Sequence, residues 1–550
     1  MFQSATIDTR SAQMFPTLTP AEIERMRRFG TPQSFAAGDA LMRIGETGRG
    51  LTVILSGEVA ITGRDEHGNP QLIVTHHAGS FMGELAQLSG RPSLVDASAT
   101  EPVEALAIAP ERLRALLVAE AELGEQIMRA LILRRVGLLE TGAGGPVVLG
   151  PAENGDVLRL EGFLARNGHP HRRLDPAEDA EARALVERFH IGPGQLPIVL
   201  CPGGQILRNP TERELARCIG LVGPIDPDHI YDLAVVGAGP AGLATAVYAA
   251  SEGLSVLVLD CRSFGGQAGA SNRIENYLGF PTGVTGMALM ARAYNQAQKF
   301  GVEMAIPDEV VRLAPNGDGP LRLGVGADEE VRARAVVVAS GARYRRLEVD
   351  GIEAFEASSV HYWATPLEGR LCSGQEVVLV GAGNSAGQAV VYLAAQVAKV
   401  WMIVRGESLE ASMSRYLVER IMSLPNVEVV TEAQVSRVEG EHGVLDAVTW
   451  TAGGAETRRR IAHLFLFIGA EPNTDWLAGS GVELDDKGFV ATAGKGSLQT
   501  SRPGVYAIGD VRAGSVKRVA AAVGEGAQVV AALHSFLASE HAPPGRSGNS

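Results

Sequence analysis

Two stretches of this 550-residue chain have the spacing of phosphate-holding loops. LAVVGAGPAGLATAVYAA begins at Leu233, and VVLVGAGNSAGQAVVYLA begins at Val377, 144 residues later. Each reads as an apolar strand, then GxGxx(G/A), then a helix. The first glycine of such a loop permits the tight turn, the second lets backbone approach a pyrophosphate, and the third lets helix pack on strand. The helix start then offers unpaired N–H groups and the positive end of a dipole. A lone loop of this kind is a weak signal. Two copies in the same strand–loop–helix setting predict two dinucleotide sites.

The strand after each loop distinguishes the sites. SVLVLD ends at Asp260, 18 residues after Gly242, where a carboxylate can hydrogen-bond a ribose hydroxyl. The equivalent place in the second copy holds Val404 and then Arg405. With no carboxylate to repel a 2′-phosphate and an arginine beside it, the second site is expected to take NADPH, with NADH as the alternative. Between the copies lies HYWATPLEG, residues 361–369, which has no cysteine.

The elements that must position these loops divide the chain. A length of 550 residues exceeds one core and suggests about three or four domains. Two joints rich in glycine and proline begin at Thr141 and Gly220. Before the first, residues 51–77 alternate apolar and polar around Glu66-His67-Gly68-Asn69, a hairpin pattern. From Pro110 to Leu139 the spacing is that of one helix, with the proline at its start. Between the joints, 163–175 reads as helix then strand, and LPIVLCPGGQIL as a strand pair. Beyond the second joint, alternating strands and helices imply an α/β architecture. The polar ending SEHAPPGRSGNS is expected to be disordered.

Composition removes several functions. A net charge of −14 argues against nucleic acid and anionic membranes as partners. The most apolar regions are interrupted by Asp232, Glu252 or Gln388, so no membrane span is expected. Four cysteines (Cys201, Cys218, Cys261, Cys372) contain no CxxC and point to a reducing, cytoplasmic compartment. His169 and His171 flank Pro170 without cysteine or paired acids and read as solvated loop residues. No metal site, nucleophile elbow or HExxH is present.

Residues from about 230 to 540 resemble bacterial thioredoxin reductases along that whole fold. The motifs are GAGPAG (237–242), GGQAG (265–269), IENYLGFP (274–281), VVVASGA (336–342), GAGNSA (381–386), LFLFIGAEPNT (464–474) and GVYAIGDVR (504–512). The resemblance implies FAD on Gly237, Gly239, Pro240, Ala241 and Gly242, with Asp260 on its ribose and Val310 near its adenine. Gly265, Gly266, Gln267 and Asn276 would border the flavin, Gly509 and Asp510 its ribityl–pyrophosphate region, and Arg518 and Val519 the pyrimidine end of the ring. NAD(P)H would lie on Gly381, Gly383, Asn384, Ser385, Ala386 and Arg405. A homodimer is also implied. Members that reduce thioredoxin carry CxxC where this chain has Trp363-Ala364-Thr365-Pro366. Neither end residue can become a thiolate, so electrons are expected to leave for an external redox protein or small oxidant. The alternative is a flavin- or nucleotide-responsive regulatory protein with little turnover.

Two front segments carry further resemblances. Residues 147–222 are similar to a thioredoxin- or glutaredoxin-like domain, with Pro197 at the place of that family's cis-proline. Pro151-Ala152-Glu153-Asn154 stands where a redox-active member has CxxC, and Cys201 and Cys218 read as buried structural thiols. FAAGDALMRIGETGRGLTVILSGEVAI (35–61) and FMGELAQLSGRP (81–92) make residues from about 14 to 140 resemble the cyclic-nucleotide-binding β-roll, which implies a cyclic nucleotide on Gly83, Glu84, Leu85 and Arg91. The expected organisation is a β-roll (1–146), a small α/β thioredoxin-like domain without CxxC (147–225), and a two-dinucleotide-domain α/β flavoprotein. In that last part, the FAD domain (226–342 and 466–540) is split by the NAD(P) domain (343–465), and 541–550 is tail.

Overall fold

The computed structural model describes residues 5–541 apart from 48–49, 65–69, 84–91, 142–144, 189–191, 193–195, 203, 224, 272, 275–276, 316, 318, 357, 365 and 495. The N-terminal unit is a roll of two four-stranded sheets. The expected hairpin over 51–77 is instead three strands, Leu51–Ser56, Val59–Arg64 and Pro70–His76. The first belongs to one sheet and the other two to its partner. Gly57 makes the crossing with a positive φ of 87°, and a Cβ there would lie 2.3 Å from the Pro102 carbonyl oxygen. The single helix expected from Pro110 is two, Pro110–Ala119 and Ala121–Thr141. Glu120 leaves helical geometry (φ −114°, ψ 83°), and Gly124 lets the second helix fold back onto Leu117.

The middle domain has a four-stranded sheet in the order Arg172–Leu174, Val147–Leu149, Ile198–Leu200, Ile206–Arg208. The first pair is parallel and the others antiparallel. Its helix Gly155–Arg166 is capped by Asn154, whose side chain accepts from the amides of Asp156 and Val157. Val157, Leu160, Phe163 and Leu164 recur at helical spacing and are buried in one cluster against the sheet. The Leu196–Pro197 bond is cis, as the resemblance implied. Two expectations are corrected here. Cys201 and Cys218 are joined in a disulfide, because the turn after Ile198–Leu200 and the helix Glu212–Cys218 meet with Cα atoms 6.3 Å apart. His169 is buried, with Nδ1 2.9 Å from the Pro170 carbonyl oxygen, rather than solvated.

The first nucleotide domain is built on a seven-stranded sheet centred on Ile230–Val236, which pairs in parallel with Val256–Leu259 and Glu329–Val338. All residues of Val256–Leu259 are buried, as expected of a strand covered on both faces. The closing helix Val519–His541 is long and apolar enough to cross a membrane by length and composition. Here it lies against helix Pro240–Ser251, with Val529, Val530, Leu533 and Leu537 in the core beside Leu243 and Ala246. The second nucleotide domain has a five-stranded parallel sheet in the order Val360–His361, Leu464–Leu466, Glu376–Val380, Lys399–Ile403, Val427–Val430. The boundary expected at 465 falls inside one of these strands, so the domain runs slightly further. Ala342–Tyr344 and Ala470–Pro472 pair as a two-stranded link between the two nucleotide domains.

Candidate active site

The first glycine loop has the geometry of a phosphate cradle. Gly237 has φ 113°, and a Cβ there would stand 2.2 Å from the Ala339 carbonyl oxygen. Gly239, the N-cap of helix Pro240–Ser251, approaches the backbone of Gly266 closely. A Cβ on Gly242 would meet the Gly237 carbonyl oxygen at 1.9 Å, so this glycine seats the helix on its strand. Asp260, at the end of the next strand, accepts from the amides of Ala238 (2.9 Å), Arg262 (3.0 Å) and Ser263 (3.3 Å). Burial pushes its carboxyl group above the usual range, and these amides and Arg262 oppose the shift.

Asp260, Gly266 and Gln267 line one cavity of about 720 Å3, together with Ser340, Ala342 and Asn473. Gln267 is held by donating from Nε2 to the Ala342 carbonyl oxygen at 2.7 Å. Gly265 and Gly266 both have positive φ. Asp510 sits in the short turn Gly509–Val511; burial raises its pKa against the opposing charge of Lys517. The resemblance did not single out Glu525. It accepts from the Gly509 amide at 2.6 Å and pairs with Arg512. The signal was its place in Gly524-Glu525-Gly526, where Gly526 lets the closing helix touch Ala241. Val310 is buried at a strand start and Arg518 is exposed; neither lines the cavity. Asn276 lies outside the described residues, as do Glu84, Leu85, Arg91 and Thr365.

The second glycine loop repeats the local design. Gly381 has φ 144°, with its would-be Cβ 2.4 Å from the Phe467 carbonyl oxygen. Gly383 caps helix Asn384–Ala394, and Ala386 is buried beneath it. Asn384 Oδ1 accepts from the Ser414 amide at 2.7 Å, which fixes the segment facing the loop. Ser385 is exposed beside it, Val404 is buried and Arg405 exposed. None of Gly381–Ala386 lines the cavity. The second domain presents Tyr362, Trp363, Glu368 and Arg370 to it instead.

Trp363 forms part of the cavity wall. Its Nε1 donates to Glu368 Oε1 at 3.0 Å, and Glu368 is buried. From the middle domain, Arg166 sets its guanidinium 5.4 Å from the Trp363 ring centroid and 4.0 Å from Glu368 Oε1. Burial lowers the Arg166 pKa, opposed by Glu368. Nothing in the sequence marked Arg166 or Glu368, because their meeting depends on how two separate domains dock. Behind them, His361 Nε2 and His463 Nδ1 stand 3.0 Å apart in the core. Burial holds His361 well below its usual pKa and lowers His463 to about 4. Cys372 is buried, donates to the Glu368 carbonyl oxygen, and is pushed up to about 12 by burial. Cys261 lines the cavity beside Asp260; desolvation and that carboxylate push its thiol to about 12 as well. No group of three or more potential metal ligands occurs among the described residues.

The family described as pyridine nucleotide-disulphide oxidoreductase matches residues 231–526, over half of the chain. This protein is a member of that family. The oxidoreductase is 33% identical to a thioredoxin reductase of Mycolicibacterium smegmatis over 54% of its own length and 93% of the relative's. It is 35% identical to the F subunit of alkyl hydroperoxide reductase from Pseudomonas putida, spanning 58% of this chain but 60% of that protein. Among solved structures, the thioredoxin reductase of T. acidophilum superposes with a TM-score of 0.51 at 29% identity, over 56% of this chain and all of that one. Residues 32–120 match the cyclic nucleotide-binding domain family. The oxidoreductase is thus an NAD(P)H-dependent flavoprotein enzyme of thioredoxin-reductase type with FAD and NADPH as cofactors, carrying a cyclic-nucleotide-binding-type roll at its front. The first glycine loop fits the pyrophosphate of FAD: Gly237 and Gly242 leave no room for a Cβ, Gly239 starts the helix beside Gly266, and the neighbouring cavity has room for a ring system.

Proposed function

We propose that this oxidoreductase passes electrons from NADPH through FAD to an external acceptor that reaches the flavin cavity directly, in the cytoplasm. The observation that carries this reading is Trp363 at the cavity wall, hydrogen-bonded to Glu368 where thioredoxin-reducing relatives hold a dithiol. The remaining sulfurs do not replace it. Cys372 is buried and hydrogen-bonded, Cys261 has a raised pKa that disfavours thiolate, and neither Cys201 nor Cys218 lines the cavity. FAD, when bound, supplies the two-electron relay.

The chain's own residues bind and orient. Gly237, Gly239, Ala241 and Gly242 would take the FAD pyrophosphate, with Asp260 toward its ribose and Gln267, fixed by Ala342, beside the ring. Gly381, Gly383, Asn384, Ser385 and Ala386 would take NADPH, with Arg405 toward the 2′-phosphate. A homodimer belongs to the same reading; Leu278 is 94% exposed beside Tyr277 and Phe280, and light scattering of the holoenzyme tests it.

The experiment is an anaerobic titration of FAD-loaded protein with NADPH, followed by turnover with a ferredoxin, a flavodoxin, a quinone and thioredoxin. Two electron equivalents per flavin, and repeated reoxidation by an acceptor other than thioredoxin, are expected. Uptake of four equivalents that is lost in Cys201→Ser/Cys218→Ser, or steady turnover with thioredoxin alone, would overturn the reading. A second reading, a flavin- and nucleotide-responsive regulatory protein, is favoured by the cyclic-nucleotide family match at 32–120. It predicts one round of reduction and no sustained reoxidation by any acceptor.

A further inference from the structure

The middle domain is fastened to the first nucleotide domain at two places. Asn167, buried at the end of helix Gly155–Arg166, donates to the Arg262 carbonyl oxygen at 3.1 Å. On helix Glu212–Cys218, Arg213 pairs with buried Asp308 at 2.8 Å and, with Arg217, with Glu329. The same helix Gly155–Arg166 touches the second nucleotide domain at both of its ends. At its start, the Gly155 amide donates to the His442 carbonyl oxygen at 3.3 Å, and a Cβ on Gly155 would lie 3.0 Å from that oxygen. At its finish, Arg166 covers Trp363 and faces Glu368.

The second domain meets the first through the paired strands Ala342–Tyr344 and Ala470–Pro472, bordered by Gly341 (φ 65°) and Gly469 (φ 101°). In this arrangement neither glycine loop itself lines the flavin cavity; Asp260, Gly266 and Gln267 beside the first loop do, whereas the second domain presents Trp363 and Glu368 to it rather than anything next to Gly381–Ala386. A turn of the second domain about the two-stranded link would bring a nicotinamide held on Gly381–Ala386 to the cavity. Such a turn carries Trp363 and Glu368 away from Arg166.

We propose that Arg166 is a positioning residue that latches the second nucleotide domain in the orientation with its glycine loop outside the flavin cavity, so that hydride transfer requires its release. The planar guanidinium suits the task, since it lies over the indole and faces the carboxylate at once with a fork of donors that a lysine lacks. The inference rests on the reading that both cofactors bind as proposed.

The test compares Arg166→Ala and Arg166→Lys with the unaltered chain, all FAD-loaded to equal flavin content. Stopped-flow reduction by NADPH is followed, together with the distance between nitroxides on ketone-bearing residues introduced at exposed Tyr416 and Leu484. Arg166→Ala is expected to speed flavin reduction about fivefold, the size of one partly buried cation–π and ion-pair contact, and to add a second distance population. Arg166→Lys should fall between. Unchanged distances, or reduction that is unchanged or slower in Arg166→Ala, would overturn the latch. If NADPH fails to reduce the flavin of the unaltered protein, the cofactor reading fails, and the distance measurement still decides whether Arg166 holds the domain.

Discussion

Replacing Arg213 by alanine should weaken the hold of the middle domain on the first nucleotide domain by an amount that depends on pH. Asp308 is fully buried and its carboxylate lies 2.8 Å from Arg213 Nε. Burial raises its pKa even with the arginine in place, and Arg213 is the largest opposing influence. Breaking a buried ion pair by deleting one partner costs about 3–5 kcal/mol. The carboxylate has an escape, however: taking a proton at pH 7 costs about 4 kcal/mol for a group of ordinary pKa near 3.9, which caps the penalty. At pH 5 the same escape costs only about 1.5 kcal/mol. The unaltered chain already bears part of this cost, so the expected loss is about 2–4 kcal/mol at pH 7 and below about 1.5 kcal/mol at pH 5. The folded-state pKa is raised, so the deficit is present at neutral pH and fades as pH falls through it. Urea midpoints at constant m, for Arg213→Ala with and without Asp308→Asn, measure it. The double variant should recover most of the loss, because no charge is left to strand. A loss below about 1 kcal/mol at pH 7, or the same loss at both pH values, would refute the reasoning.

Three further outcomes are expected. Gly237→Val places a side chain against the Ala339 carbonyl oxygen at a φ that valine resists, so the purified protein should hold less than about a tenth of the normal FAD by visible absorbance. His463 is buried, with its pKa lowered to about 4. Its contribution is present above the ordinary value of about 6.5 and is lost as pH falls, at about 1.4 kcal/mol per unit down to that folded value. Unfolding measured from pH 7 to 5 should show this contribution added to that of His361, whose pKa is lowered as well, and His463→Gln should reduce the slope by about 1.4 kcal/mol per unit without abolishing it. If the front roll holds a cyclic nucleotide through Arg91, Arg91→Ala should weaken binding of a fluorescent analogue by about 10- to 100-fold in an anisotropy titration.

Much of the reductase half was legible in the sequence because its signals are local. The strands at 233 and 377, the glycines after them and Asp260 are fixed by backbone geometry within about 30 residues of chain. The roll was legible in kind but not in detail. Alternation cannot say that Gly57 hands the chain from one sheet to the other, and helical spacing continues smoothly through Glu120 although the helix breaks there. The Cys201–Cys218 disulfide was illegible because its partners lie 17 residues apart on different elements. The Arg166–Trp363–Glu368 contact was illegible for a stronger reason. An arginine at the end of an amphipathic helix looks like any solvated cation until the docking of two domains is known.

Gly155 has an evolutionary consequence. By the resemblance of this segment to thioredoxin-like domains, the turn Pro151-Ala152-Glu153-Asn154 stands where such a domain would trade electrons, and the next residue, Gly155, is buried with its amide on the His442 carbonyl oxygen. Restoring two cysteines in that turn would not by itself recreate a free-moving courier, because the residue that follows them is packed on the second nucleotide domain. A domain docked in this way acts as a buttress, and what that role demands of it is shape. The capping Asn154 and the close-packed Gly155 are held in place by that architecture.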